Sequence, residues 1–274
     1  MNNKRNIKIV ISLAMLAYSG LSAVRYDVTG ANFNADKTGV SDASFAIQNA
    51  LNKAKNAVSQ IEVYFPEGNY RLNHALIVYS NTKLELHERA RVFRSVSGPQ
   101  ILVSAGHLKA DGTACSRDKV CIHGGYSQIH DVTIVGGIWD GNDSKSVTGA
   151  IFLPHGQRIR IENAVFHHFT EHIINLSGSR DIVLQNLEFM DMHKYDGTSS
   201  EFWTGYTKGD DRRFLSIEAI HLDVTNPAGE PTNYPHDNTV CQNVVVRNCN
   251  FSNVFAGIGN HHVINGYRNG TIDV

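Results

Sequence analysis

The chain has 274 residues, 42% of them hydrophobic and 19% charged, which is enough apolar content for a sizeable core and too much for a disordered polymer. Its formal net charge of -1 supplies no global field to recruit nucleic acid or an anionic membrane, so partner choice must rest on local chemistry.

At the N-terminus, Lys4, Arg5 and Lys8 precede an apolar run from Ile9 to Ala17, and Gly20-Leu21-Ser22 supplies small residues for cleavage. This is the layout of a secretory signal peptide over residues 1–22, too short in its apolar part for a membrane span. It predicts an exported protein, secreted or held at the cell surface, with no membrane contact once the signal is removed. Residues 23–274 then form one domain. Tyr26-Asp27-Val28-Thr29-Gly30-Ala31 and an Asp-rich loop, Asp36 to Asp42, lead into a helical pattern with Ile47, Ala50, Leu51 and Ala54 on one face. Ile61-Glu62-Val63-Tyr64-Phe65-Pro66-Glu67-Gly68-Asn69-Tyr70 reads as strand, tight turn and strand.

Farther on, one phrase returns: an alternating apolar run, Asn, two residues and an aromatic. It stands at Ile159 to Phe166, Ile182 to Phe189 and Val244 to Phe251, with a weaker copy from Val132 to Trp139. Asn163 and Asn186 lie 23 residues apart, a period that fits stacked coils. Each phrase is followed by a second short strand: Ile151-Phe152-Leu153, Ile174-Asn175-Leu176, Ile220-His221-Leu222 and Ile258-Gly259-Asn260. Alternation points Ile and Leu inward and puts Phe152, Asn175, His221 and Gly259 in one outward column, one residue per coil. Asn163, Asn186 and Asn248 mark the bends, where Asn tolerates left-handed backbone angles. The fold class is therefore all-β, a parallel β-helix, with the early helix capping the open apolar end of its first coil.

The opening with Gly30-Ala31, the Asp-rich loop, the capping helix and Phe65-Pro66-Glu67-Gly68-Asn69-Tyr70 together resemble the start of pectate-lyase-superfamily proteins. That resemblance, running from about Val24 to the last residue, implies a right-handed parallel β-helix and, for the enzymatic members, cleavage or modification of acidic or neutral polysaccharides. The C-terminus follows a strand with no capping element in view, which predicts a fragment of a longer solenoid.

Three polar interruptions, 104–127, 191–216 and 225–240, are long enough to wall a groove beside the outward column. Trp203, Tyr206, Tyr195 and Tyr234 on them could stack on sugars or pack the loops. The four cysteines lack CxxC spacing. Cys115 and Cys121 flank a loop that a disulfide would close, whereas Cys241 and Cys249 bracket a strand too long to bridge.

The densest polar constellation is Glu218, His221 and Asp223, with His261 expected one rung from Asp223 at about 4.8 Å. Asn175, Ser177, Asn260 and His262 extend this strip as candidate hydroxyl-binding residues, and Arg212 and Arg213 supply positive charge from the adjacent loop. Hydrolysis would use Glu218 and Asp223 as a carboxylate pair about 5–9.5 Å apart. Elimination from a uronic acid would use His221 or His261 as base, with Ca²⁺ or an Arg neutralising the substrate carboxylate. Hydrolysis calls for no cofactor, and Ca²⁺ enters only on the lyase route. His167 and His168 fall at a corner and read as background, and Asp140-Gly141-Asn142-Asp143 reads as a turn, since the remaining ligands of a calcium loop are missing. Glu218-Ala219-Ile220-His221-Leu222-Asp223 is similar to the Asp-Gly-Ile-Asp strand of the polygalacturonase family, with Glu218 in the place of its first catalytic Asp. That family's paired aspartates fall here at Phe255 and Ala256, which removes its usual acid. Two functions follow: an exported enzyme cleaving a polysaccharide substrate, or a non-catalytic β-helix that binds glycans or a surface, as adhesins and phage tail proteins do.

Overall fold

The computed structural model describes residues 23–99, 101–105, 124–142, 149–192, 218–225, 237–260 and 272–273. Among them, three parallel sheets have a strand order that is the chain order. The eight-stranded sheet takes Val24–Asp27, Ile61–Phe65, Thr82–Leu86, Ile129–Val135, Gly156–Glu162, Arg180–Gln185, Gln242–Arg247 and Ile272–Asp273. The seven-stranded sheet takes Thr38–Asp42, Gly68–Leu72, Ala90–Arg94, Ile138–Asp140, Val165–His167, Glu188–Met190 and Asn250–Ser252. The six-stranded sheet takes Leu76–Val78, Ile101–Ala105, Gly149–Phe152, Ile174–Asn175, Glu218–His221 and Ala256–Gly259. Successive coils lay each new strand directly on its predecessor in all three sheets, which is the expected parallel β-helix.

The register explains why the repeated phrase specifies the fold. Ile159 pairs with Ile182 and Ile182 with Val244, while Ile161, Leu184 and Val246 align two residues later. Each of these side chains is buried, so like stacks on like along the core. The aromatic closing each phrase does the same on the seven-stranded sheet. Trp139, Phe166, Phe189 and Phe251 occupy equivalent rungs. Their rings stack at centroid distances of 6.2, 5.2 and 5.1 Å with interplanar angles of 15°, 12° and 5°. Such pairs add about 0.5–1.5 kcal/mol each beyond the area they bury.

Between these two sheets the backbone turns at Asn163, Asn186 and Asn248, with φ of 56°, 54° and 53°. Their amides form a ladder, Asn186 Nδ2 donating to Asn163 Oδ1 at 2.8 Å and Asn248 Nδ2 to Asn186 Oδ1 at 3.2 Å. Within the eight-stranded sheet a further left-handed column, Asp131, Arg158, Asp181 and Asn243, bends the strands at one level. At the N-terminal end the helix Ser44–Leu51 buries Ser44, Ile47, Ala50 and Leu51 against the first coils, with Ala54 also buried just beyond it. Its Gln48 side chain accepts from Ile77 N and donates to Ile77 O, tying it to the six-stranded sheet.

Cys241 is fully buried, its Sγ near the carbonyl oxygens of Asp223 and Leu176, and Cys249 is half-buried against the core. The two are not bridged to each other, as their separation predicts, and burial pushes the Cys241 thiol up to about 12. No helix among the described residues is long and apolar enough to cross a membrane. The expected signal peptide, Cys115 and Cys121, and most of each polar interruption lie outside the described residues.

Truncating Phe189, the middle of the aromatic ladder, leaves a cavity and unstacks two neighbours. Phe189→Ala is expected to cost about 3–5 kcal/mol in urea unfolding and Phe189→Leu distinctly less. Equal, near-zero losses in the two variants would show that the ladder does not hold the coils together.

Candidate functional site

The outward column of the six-stranded sheet forms in the expected register. Phe152 pairs with Asn175, Asn175 with His221, and His221 with Gly259. Glu218 opens the strand that carries His221 and lies opposite Ala256 on the following coil. Strict alternation would put Glu218 on the side of Ile220, yet at the strand's first residue its carboxylate turns to meet the imidazole three positions on. Glu218 Oε2 is 3.2 Å from His221 Nδ1, and Asp223 Oδ2 is 3.3 Å from His221 Nε2. The strip thus brings together Glu218, His221, Asp223 and Asn175.

Two residues not singled out from sequence complete the group. His172, in the turn before the strand Ile174–Asn175, stacks on His221 with ring centroids 3.9 Å apart and an interplanar angle of 23°. Its Nδ1 is 3.1 Å from Glu218 Oε2 and its Nε2 is 3.1 Å from Glu171 Oε1. Carboxylates and imidazoles therefore alternate in the order Glu171, His172, Glu218, His221, Asp223. The turn holding Glu171 and His172 has no regular period, so its approach to residues 218–223 is set by tertiary winding and left no mark in sequence spacing. The donor atoms of His172, Glu218 and His221 lie within 4.8 Å of one another. A shared cation would still sit well out of the plane of two face-to-face rings, and His221 already has a carboxylate at each nitrogen, so the group reads as a chain of close carboxylate–imidazole contacts.

Three expectations are corrected here. The strip was expected to face solvent, but Glu218, His221 and Asp223 are only 4%, 4% and 2% exposed. His221 was a candidate base. Burial alone would lower its pKa, but the hydrogen bonds and charges of Asp223 and Glu218 outweigh that and raise it from 6.5 to about 9. At neutral pH it is a cation with no lone pair to offer, a poor proton acceptor and a firm anchor for two carboxylates. Ser177 was expected to meet substrate hydroxyls, but it is fully buried and its N–H and Oγ both donate to Asn175 Oδ1, at 3.1 and 2.9 Å. That also occupies the acceptor end of Asn175. Asn260 is exposed beyond Gly259. His261, His262, Trp203, Tyr206, Arg212 and Arg213 lie outside the described residues, as do Tyr195 and Tyr234.

Gly259 has a steric task in this arrangement. A Cβ there would fall 2.6 Å from Glu218 Cγ and 2.8 Å from Glu218 Oε1, so the bare backbone of one coil provides the space that the carboxylate of the coil before it fills.

Because folding raises the His221 pKa, the native state holds this proton more tightly than the unfolded chain. The stability so gained is full below about pH 6.5 and is lost as pH rises through about 9. Urea midpoints recorded between these limits should fall with pH in the wild type, and His221→Gln should flatten the dependence; an unchanged slope would refute the clamped imidazolium. Gly259→Ala should displace Glu218, lower stability by about 1–3 kcal/mol and weaken the same alkaline slope, whereas a wild-type profile would show that Glu218 does not need that space.

Comparison with known proteins fits this geometry. Residues 28–85 match the family described as rhamnogalacturonase A/epimerase, pectate lyase-like. That segment holds the first strands and the capping helix and stops well short of the chain of five. Over 254 residues, 84% of the chain, the sequence is 23% identical to plasmin and fibronectin-binding protein A of Streptococcus pneumoniae, and it spans 32% of that protein's length. The crystal structure of PfbA, a surface adhesin of Streptococcus pneumoniae, aligns with a TM-score of 0.69 at 23% identity, over 92% of this chain and 56% of that one. A candidate glycosyl hydrolase from Parabacteroides merdae aligns with a TM-score of 0.58 at 13% identity, over 91% and 93% of the two chains. At these identities the structural likeness speaks to fold, and together with the three coil-ordered sheets it leads to one conclusion: the chain is a parallel β-helix whose first coils, residues 28–85, resemble a pectate-lyase-like family.

Proposed function

We propose that this chain is an adhesion module of a secreted or cell-surface protein, binding an extracellular glycoprotein or glycan along the outside of its coils without cleaving it. The observation that carries the proposal is the self-contained state of Glu218, His221 and Asp223. Both carboxylates that hydrolysis would call upon are engaged on the two nitrogens of one imidazole and shielded from solvent. Cleavage of a glycosidic bond needs an acid and a base flanking the substrate, one of them with its proton to give. On the next coil the residue beside Glu218 is Ala256, so the strip has no carboxylate there to complete such a pair.

Similarity to plasmin and fibronectin-binding protein A, and to a surface adhesin of the same fold, supports binding over turnover and an extracellular location. Plasmin and fibronectin are accordingly the first partners to test, with polysaccharides as the second class. The near-neutral net charge implies recognition through local patches and a shallow dependence on salt, unlike that of a polycation binder.

The test pairs binding with turnover. The chain is passed over immobilised plasmin, fibronectin and a panel of acidic and neutral polysaccharides, while the same glycans are assayed for new reducing ends and for the ultraviolet absorbance of unsaturated ends. Saturable binding to at least one surface is expected, with Glu218→Gln and Asp223→Asn within about twofold of wild type in affinity, and no product from any glycan. Product that disappears in Glu218→Gln would overturn the reading in favour of an enzyme, and failure to bind any surface would overturn it as an adhesin.

A further inference from the structure

A second polar cluster lies on the seven-stranded sheet, apart from the residues invoked above. Asp140 ends the strand Ile138–Asp140, His167 ends the strand stacked upon it, and the two residues are register partners. His168 follows in the left-handed conformation, φ 60°, which turns its ring back beside that of His167. The ring centroids are 4.2 Å apart at an interplanar angle of 67°. Three atoms converge: His167 Nδ1 and His168 Nδ1 are 2.8 Å apart, His168 Nδ1 and Asp140 Oδ1 are 3.0 Å apart, and His167 Nδ1 and Asp140 Oδ1 are 3.8 Å apart.

Proton bookkeeping at these atoms is awkward. An imidazole nitrogen carries either a hydrogen or a lone pair, never both. If His168 Nδ1 is a lone pair, it faces the carboxylate oxygen with nothing between them. If it is N–H, one hydrogen must be divided between His167 and Asp140. A cation among the three would take all of their lone pairs at once. With metal–ligand bonds of about 2.0–2.1 Å, neighbouring donors on a tetrahedron stand about 3.3 Å apart, a value the three observed separations bracket. The rings meet at a steep angle, so both in-plane lone pairs can aim at one point, unlike the parallel pair His172 and His221.

The surroundings hold the carboxylate ready for this use. Arg91 donates through Nε to Asp140 Oδ2 at 2.7 Å, and Asn142 N donates to Asp140 Oδ1 at 2.7 Å, so the acid is fixed with a face of Oδ1 toward the imidazoles. Asp140 is 1% exposed, while the side chains of His167 and His168 are 19% and 30% exposed, which leaves an entry path. We propose that Asp140, His167 and His168 bind a divalent transition-metal ion of the zinc class. Two nitrogens and one oxygen favour Zn²⁺ over Ca²⁺ or Mg²⁺, which prefer oxygen donors. The ion would join two successive coils where the chain leaves the seven-stranded sheet, as a structural clip with an open coordination position toward solvent.

The test uses the whole chain, stripped with EDTA and titrated with zinc chloride by calorimetry, with Co²⁺ as a spectroscopic substitute. Wild type and Glu218→Gln should each bind Zn²⁺, gain melting temperature from it and show visible absorption with Co²⁺. His168→Asn, which retains the left-handed backbone, and His167→Gln should each weaken binding by about tenfold or more and lose the thermal gain. Circular dichroism of the metal-free variants controls for folding. Zinc affinity unchanged in both histidine variants would overturn the proposal, as would displacement of Zn²⁺ by equimolar Ca²⁺, or loss of binding in Glu218→Gln alone.

Discussion

Vertical register between successive coils is the constraint from which the other features descend. Every residue in a sheet has a counterpart one rung away at about 4.8 Å, so its side chain is judged by what lies above and below it. Apolar positions meet the demand by repetition, as in Ile159, Ile182 and Val244 or in Phe166, Phe189 and Phe251. Charged positions cannot repeat, because like charges at this distance repel. On the outer face of the first coils they alternate: Arg25 pairs with Glu62 and Glu62 with Lys83, and ion pairs link both neighbours. At partial exposure these pairs contribute little energy, and their value lies in permitting the register.

The same logic accounts for the chain of acids and imidazoles on the six-stranded sheet. A buried carboxylate stacked on a coil must find a cation or a donor, and Glu218 finds His221 on its own strand and His172 on the coil beneath. Bringing charged groups out of water is expensive, and such a chain holds only while every link is present. On the adhesive proposal, the arrangement that makes it stable also keeps it from chemistry, since the groups that could attack a substrate are already engaged with one another. Burial and engagement, more than residue identity, are what that proposal rests on.

Much of the fold was legible in the sequence, because the aromatic and apolar ladders are local, periodic and written in residue types that leave few choices. Asn163, Asn186 and Asn248 announce their left-handed corners, and the column through Asn175, His221 and Gly259 follows from alternation alone. Arg158 was not legible in this way: an arginine with φ 55° carries no sequence signal, and it is held by two bonds of its guanidinium to Asp131 on the neighbouring coil. The candidate site was half legible. Glu218, His221 and Asp223 were visible as a cluster, but their burial depends on what packs over the strip, and the partnership with His172 depends on how an irregular turn folds back. Asp140 and His167 each follow the aromatic that closes their phrase, so their adjacency was legible in the repeat, whereas the left-handed turn that brings His168 back beside them was not.

On the proposed extracellular location, Cys241 carries a further consequence. A thiol held near pKa 12 by burial is almost wholly un-ionised at physiological pH, and only the thiolate reacts quickly with disulfides and peroxides. The residue can pass through an oxidising milieu unmodified, serving as a compact spacer between two coils. Sulfenylation and mixed-disulfide formation there would first require the solenoid to part.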